Sequence, residues 1–195
     1  RVLFRSVVTK RYRTHTCGEI READIGREVI LSGWLHNRRD HGGVLFIDLR
    51  DHYGISQIVI YPQSGILDDV SRLRKETVVL FKGTVRHRDQ DNVNPRIETG
   101  QVEVDAVSCE ILGECGDLPF SIFPEEKTPE ELRLTYRYLD LRRSAIHENI
   151  MLRSNVIASL RSRMRDHGFT EFQTPILTAS SPEGARDYLV PSRLH

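Results

Sequence analysis

From Glu28 to Leu112 apolar side chains recur at every second position, and the pattern is interrupted once, at 65–76, by a helical period. Period two is the signature of strands with one buried face, because successive side chains of a strand point to opposite sides. Segment 28–37 sets Val29, Leu31, Gly33 and Leu35 against polar neighbours. Segments 43–51 and 55–61 alternate again, around a turn at Asp51-His52-Tyr53-Gly54 in which the glycine suits a hairpin loop with positive φ. In 65–76, Ile66, Leu67, Val70 and Leu73 keep helical spacing. Extended patterns return at 78–87 and 102–111, joined by a polar loop at 88–100.

Three strands, a helix and two strands within about 85 residues is the element order of an OB-fold, the small Greek-key barrel that binds oligonucleotides across its central strands. Element order alone leaves a five-stranded barrel of other purpose open. Residues 113–130 read as a hinge, with Gly113, Gly116, Pro119, Pro124 and Pro129 among acidic residues. A helix is expected to start after it, with Thr128 as cap, Pro129 in the first turn and Glu131 closing a capping box. A second helix runs from about Ser144 to His167 with Ile146, Ile150, Ile157, Leu160 and Met164 along one stripe, and Gly168 stops it. Residues 169–177 read as an extended segment containing Pro175. The organisation is thus 1–11 as an extension or tag, 12–112 as the barrel, 113–130 as hinge, and 131–195 as the start of a second domain. Because the second pattern has only just restarted at His195, and residue 1 is Arg, the chain is expected to be a fragment.

Net charge is zero over 195 residues, yet the charge is segregated. Residues 1–39 hold nine basic and four acidic side chains, 97–131 one and ten, and 133–166 eight and three. A polynucleotide partner responds to the local field, so the neutral sum does not exclude one. No apolar run approaches the ~20 residues of a membrane span. Cys17, Cys109 and Cys115 are too few and scattered for a disulfide framework or zinc site. The basic, acid-free stretch 1–10 has the composition of the end of a targeting segment, and equally of sequence foreign to the protein.

Leu45, Ile47 and Leu49 define the core side of segment 43–51, which leaves Val44, Phe46, Asp48 and Arg50 on the opposite face. An outward phenylalanine among polar residues is what a base-stacking platform requires, although a covering loop would make it ordinary core. Arg38, Arg39 and Arg50 are candidates to hold phosphates or stack. Gln57 carries both donor and acceptor and can read a base edge. Arg86, Arg88, Asn92 and Glu103 flank the loop before the last strand. Together they suggest a groove for single-stranded nucleic acid. Catalytic signatures are thin: no phosphate-binding GxxxxGK[ST], no GxSxG and no HExxH is present.

The runs WLHNRRDHGGVLFIDLRDHYG (34–54), TVRHRD (84–89), YRYLDLRR (136–143), FQTPIL (172–177) and SPEGARDYLVPSR (181–193) closely resemble bacterial-type aspartyl-tRNA synthetases and their mitochondrial relatives. The resemblance runs from about Tyr12 to His195. It implies an α+β multidomain chain: an anticodon-binding five-stranded OB-fold barrel, a hinge, and the truncated start of a class II catalytic domain built on an antiparallel sheet. It also implies ATP-dependent attachment of L-aspartate to tRNA-Asp, with Mg2+, by a homodimer in the bacterial cytoplasm or the mitochondrial matrix. Carried over position by position, Phe46 would stack on an anticodon base, and Arg39 and Gln57 would touch the anticodon loop. Arg88, Asn92 and Glu103 match positions that help recognise the anticodon, Glu103 by accepting from a guanine. Val59 stands where many relatives have a second aromatic. Pro175 would lie at the dimer interface, and Glu183, in a mobile loop at 181–185, would face the aspartate ammonium.

His41 resembles the form in synthetases that also charge tRNA-Asn. The remaining class II motifs, with the ATP-clamping arginines and the groups that read aspartate, are not found in these 195 residues, so none of them is expected to bind ATP or Mg2+, and this stretch alone is not expected to aminoacylate. Asparaginyl- and lysyl-tRNA synthetases, and a free-standing OB-fold protein that binds single strands, are the competing readings.

Overall fold

The computed structural model describes residues 12–123, 127–176 and 190–191. The chain forms two compact units that divide between Leu118 and Pro119. In the first, five strands close into a barrel: β1 (Glu28–His41), β2 (Val44–Arg50), β3 (Ile55–Ile60), β4 (Val78–His87) and β5 (Val102–Gly113), in the order β1-β2-β3-β5-β4. All neighbours are antiparallel except β3 and β5, and β1 pairs with β4 to close the ring. The helical period between β3 and β4 becomes a short helix, Leu67–Ser71. Val29, Leu31, Leu35, Leu45, Ile47, Leu49, Ile58, Phe81 and Val104 fill the interior with Val70 of that helix. The alternation in the sequence is therefore the alternation of core and outer face.

The strands extend where side-chain pattern cannot show it. β1 continues four residues past Asn37 because Arg38, Arg39, Asp40 and His41 pair with β2 opposite Ile47, Phe46, Leu45 and Val44. Gly42 and Gly43, at φ 62° and 87°, form the two-residue connection, the left-handed pair that a tight hairpin demands. A β-bulge between Leu35 and Asn37 inserts His36 into β1 and shifts the facing of the residues beyond it.

Gly54 is needed for a different reason from the one its turn suggested. Its φ is not positive. A Cβ there would lie 2.8 Å from the Cα of Gly18, so the two glycines let the β2–β3 turn and the segment before β1 touch.

In the second unit, helices span Glu130–Thr135, Arg137–Asp140 and Ser144–Asp166. The expected capping box is not formed: Pro129 is itself the N-cap and no side chain caps the helix. Asp140 has no exposed surface and lies between Arg137 and Arg133, the latter 3.6 Å away. The long helix ends at Gly168, φ 84°, as expected. Its apolar stripe is exposed, including Ile150, Ile157, Leu160 and Met164. The described part of 169–177 is not a strand. No ladder partner pairs with it among the described residues, and Phe172 and Ile176 are exposed. No described helix is long and apolar enough to cross a membrane.

Candidate nucleic-acid interface

The barrel's cross-strand register gathers polar residues on one outer face. Asn37, Asp48 and Gln57 stand opposite one another across β1, β2 and β3, and Arg86 stands opposite Glu103 across β4 and β5. The adjacent row is Arg39, Phe46 and Val59. Beside these rows lies an open cleft of about 440 Å3. Arg39, His41, Phe46, Gln57, Arg88 and Asn92 all line it, together with His36, Asp48 and Asn94. Six of the seven barrel residues that the resemblance singles out thus meet in one groove, while Arg38, Arg50 and Arg86, also candidates from the sequence, do not line it.

Phe46 projects to the outer face of β2 and is half-buried, with its core neighbours Leu45 and Ile47 on the other side. The His41 ring meets it edge-on, with centroids 5.8 Å apart. Val59 opposite Phe46 is fully buried, so among these paired positions Phe46 supplies the ring. A base can stack on such a ring at any sequence.

The seventh residue, Glu103, is not a wall of the groove. It is 5% exposed. One oxygen accepts from Gln57 Nε2 at 2.7 Å, and the other accepts from Arg86 Nε at 2.9 Å. Arg86 also hydrogen-bonds the Tyr61 hydroxyl and stacks over that ring at 4.8 Å. Gln57, itself 5% exposed, turns its oxygen toward Arg39, whose Nη2 also donates to Asp48 at 2.9 Å.

Arg88 is buried with one donor unmet. It is 6% exposed, its Nε donates to the Val102 carbonyl at 3.0 Å, and its buried Nη2 meets no acceptor. Burial holds its guanidinium below the ordinary range, while Glu103 and Asp48 act in the opposite sense. A buried, charged donor without an acceptor costs free energy unless something fills the position. Other atoms of Arg88 line the groove.

Two of the candidate arginines bond to other parts of the barrel unit. Arg38 Nη1 donates to the Leu73 carbonyl at 2.8 Å, beyond the end of the short helix. Arg50 donates to both oxygens of Glu76 and to His36 Nδ1. Arg50, with both Nη atoms engaged, is not left to hold phosphate. Glu183 and the rest of 181–185 fall outside the described residues, and Pro175 lies in the non-strand segment after the long helix.

Residues 29–112 match the OB-fold nucleic acid binding domain family, and residues 129–195 match the class II tRNA synthetases of the D, K and N group. An aspartate–tRNA(Asp/Asn) ligase of Caulobacter is 58% identical over 94% of this chain. Over nearly its whole length the chain is similar to the aspartate–tRNA ligases, and its second part matches the class II synthetases. An aspartate–tRNA ligase of Streptomyces griseus is 60% identical over 95% of the chain. The chain spans about 30% of the length of these curated relatives. Among solved structures, asparaginyl-tRNA synthetase of Pyrococcus horikoshii superposes with a TM-score of 0.75 at 26% identity, covering 88% of this chain and 38% of that one. In this chain the groove of the OB-fold region is formed by β1–β3 and the loop after β4, to which Arg88 belongs.

Proposed function

We propose that the barrel binds the anticodon loop of tRNA-Asp, with a base stacked on Phe46 and read by Gln57 and Arg88. The observation that carries this is one groove lined together by Arg39, His41, Phe46, Gln57, Arg88 and Asn92, an outward ring beside amide and guanidinium groups. Arg39 and His41 flank the ring, Arg39 able to meet a phosphate, and Asn92 adds a neutral donor and acceptor at the opposite rim. Glu103 acts from behind this surface.

The whole protein, on this reading, is an aspartate–tRNA ligase that uses ATP and Mg2+, acts as a homodimer with Pro175 at its interface, and works in the cytoplasm or the mitochondrial matrix. Its Glu183 faces the aspartate ammonium, an opposite-charge contact that orients the substrate. Among the described residues no three His, Cys, Asp or Glu side chains gather to hold a metal ion. No chemical step is therefore assigned to them. With His41 beside Phe46, the proposed range extends to tRNA-Asn.

Filter binding with tRNA-Asp and an anticodon-swapped tRNA tests the barrel's role. Wild-type chain prefers the native anticodon, and Phe46→Ala weakens binding by the ~1–3 kcal/mol of one base–aromatic stack. Equal binding of the two tRNAs, unaffected by Phe46→Ala, overturns the reading in favour of a non-reading single-strand binder. Charging of purified tRNA-Asp and tRNA-Asn by the whole enzyme decides its range.

A further inference from the structure

The groove's reading of a base edge depends on which end of the Gln57 amide faces outward, and that choice is made by residues behind it. An ionised carboxylate only accepts hydrogen bonds. Glu103 Oε2 lies 2.7 Å from Gln57 Nε2, so the nitrogen end is drawn inward and the oxygen end is left toward Arg39 and the groove. Exchanging the two ends would set the amide oxygen against the carboxylate and its N–H groups against the guanidinium of Arg39, two repulsive contacts in place of two attractive ones. Glu103 is held in turn. Arg86 donates to its other oxygen from Nε, its Nη2 lies 2.8 Å from the same oxygen, and Tyr61 packs under the guanidinium.

We propose that Glu103, buttressed by Arg86 and Tyr61, is a positioning residue that locks the Gln57 amide with its oxygen toward the groove, and so makes the groove select bases whose pairing edge donates a ring N–H. Uridine N3–H and guanosine N1–H satisfy that oxygen. Cytidine N3 and adenosine N1 are acceptors and oppose it. The inference rests on the proposed reading of the groove as a base-binding surface and adds how its selectivity is set.

The test is fluorescence anisotropy of the whole chain with short labelled oligouridylate and oligocytidylate, in wild type, Glu103→Gln, Gln57→Leu and the double variant. Wild type binds oligouridylate tighter, by on the order of tenfold, the worth of one correctly paired base edge. Glu103→Gln, which lets the facing amide turn, collapses that ratio toward one. In the Gln57→Leu background the same change leaves the ratio where Gln57→Leu put it, since Glu103 acts through Gln57. Thermal melting of each variant is read alongside, because a purely structural role lowers the melting temperature and both affinities together with the ratio intact. A wild-type ratio near one, or a ratio that survives Glu103→Gln, overturns this inference alone. Absence of any binding by wild type overturns it together with the groove's proposed function.

Discussion

Arg50 Nη2 donates to both carboxylate oxygens of Glu76, each at 2.9 Å, joining β2 to a residue two positions before β4. Glu76 is almost fully buried and takes φ 66°, a left-handed backbone uncommon outside glycine. Breaking a buried pair by removing one partner leaves an uncompensated charge, at a cost of about 3–5 kcal/mol. Glu76→Ala is therefore expected to lower stability toward that range in urea melts. Oligonucleotide affinity at low denaturant should stay as in wild type, since Glu76 does not line the groove. A loss under 1 kcal/mol would show that the Arg50 charge finds water or another acceptor.

The same arginine fixes the state of a histidine. Arg50 Nη1 lies 2.8 Å from His36 Nδ1. A guanidinium only donates, so that nitrogen must be unprotonated. Burial, with the Arg50 charge, lowers the His36 pKa to about 4. Between that value and the ordinary 6.5 the unfolded chain binds the extra proton and the folded chain does not, so stability rises with pH across this window. His36 thus contributes stability that is complete above about pH 6.5 and drains away as pH falls toward 4. Chemical denaturation at pH 7 and pH 4.5 should show wild type losing more stability on acidification than His36→Gln. Equal losses would mean that the imidazole is protonated in the folded state.

The barrel was legible because its strands bury one face each, and Val29, Leu31, Leu45, Ile47 and Leu49 sit in the interior where alternation placed them. Phe46 was legible for the same reason, as an apolar residue on the polar side. His36 reaches the groove through a bulge, and one inserted residue leaves no trace in a pattern of period two. The final stretch of β1 was equally hidden, since Arg38 to His41 are exposed and are held in the strand by backbone pairing with β2. Arginines read worst. Arg38, Arg39 and Arg50 look alike in sequence, yet one binds carbonyls near a helix end, one borders the groove and one pairs with Glu76. Long side chains go where tertiary partners are, and Leu73 and Glu76 lie more than twenty residues away in sequence.

The contact between Gly18 and the β2–β3 turn gives a stringent steric prediction. A Cβ on Gly18 would lie 2.4 Å from the Tyr53 carbonyl oxygen, which belongs to backbone and cannot swing aside. Asp51 pins that turn by accepting from the backbone nitrogens of Cys17, Tyr53 and Gly54. Gly18→Ala should therefore destabilise by about 1–3 kcal/mol, the usual cost of overpacking. Since the substitution lies outside the groove lining, oligonucleotide binding by the folded fraction should persist. A melting temperature equal to wild type would mean that the two segments separate freely.

Arg88 offers the clearest separation of stability from binding. Its Nη2 is buried without an acceptor, so the free protein carries a desolvated donor that contributes nothing to its fold. Arg88→Met keeps much of the side-chain length, removes that donor and the buried charge, and forfeits the single bond from Nε to the Val102 carbonyl. One hydrogen bond to a charged group is worth about 1.5–3 kcal/mol, and an unmade buried one costs about as much, so the two changes nearly cancel. Stability is expected to remain within about 1 kcal/mol of wild type. Affinity for tRNA-Asp should nevertheless fall by tenfold or more, the worth of a charge-assisted contact of about 1.5–3 kcal/mol. Guanidinium melts and filter binding on the same preparation read both quantities. A variant that melts much earlier yet binds as well as wild type would make Arg88 a strut of the barrel, with no part in the groove's ligand.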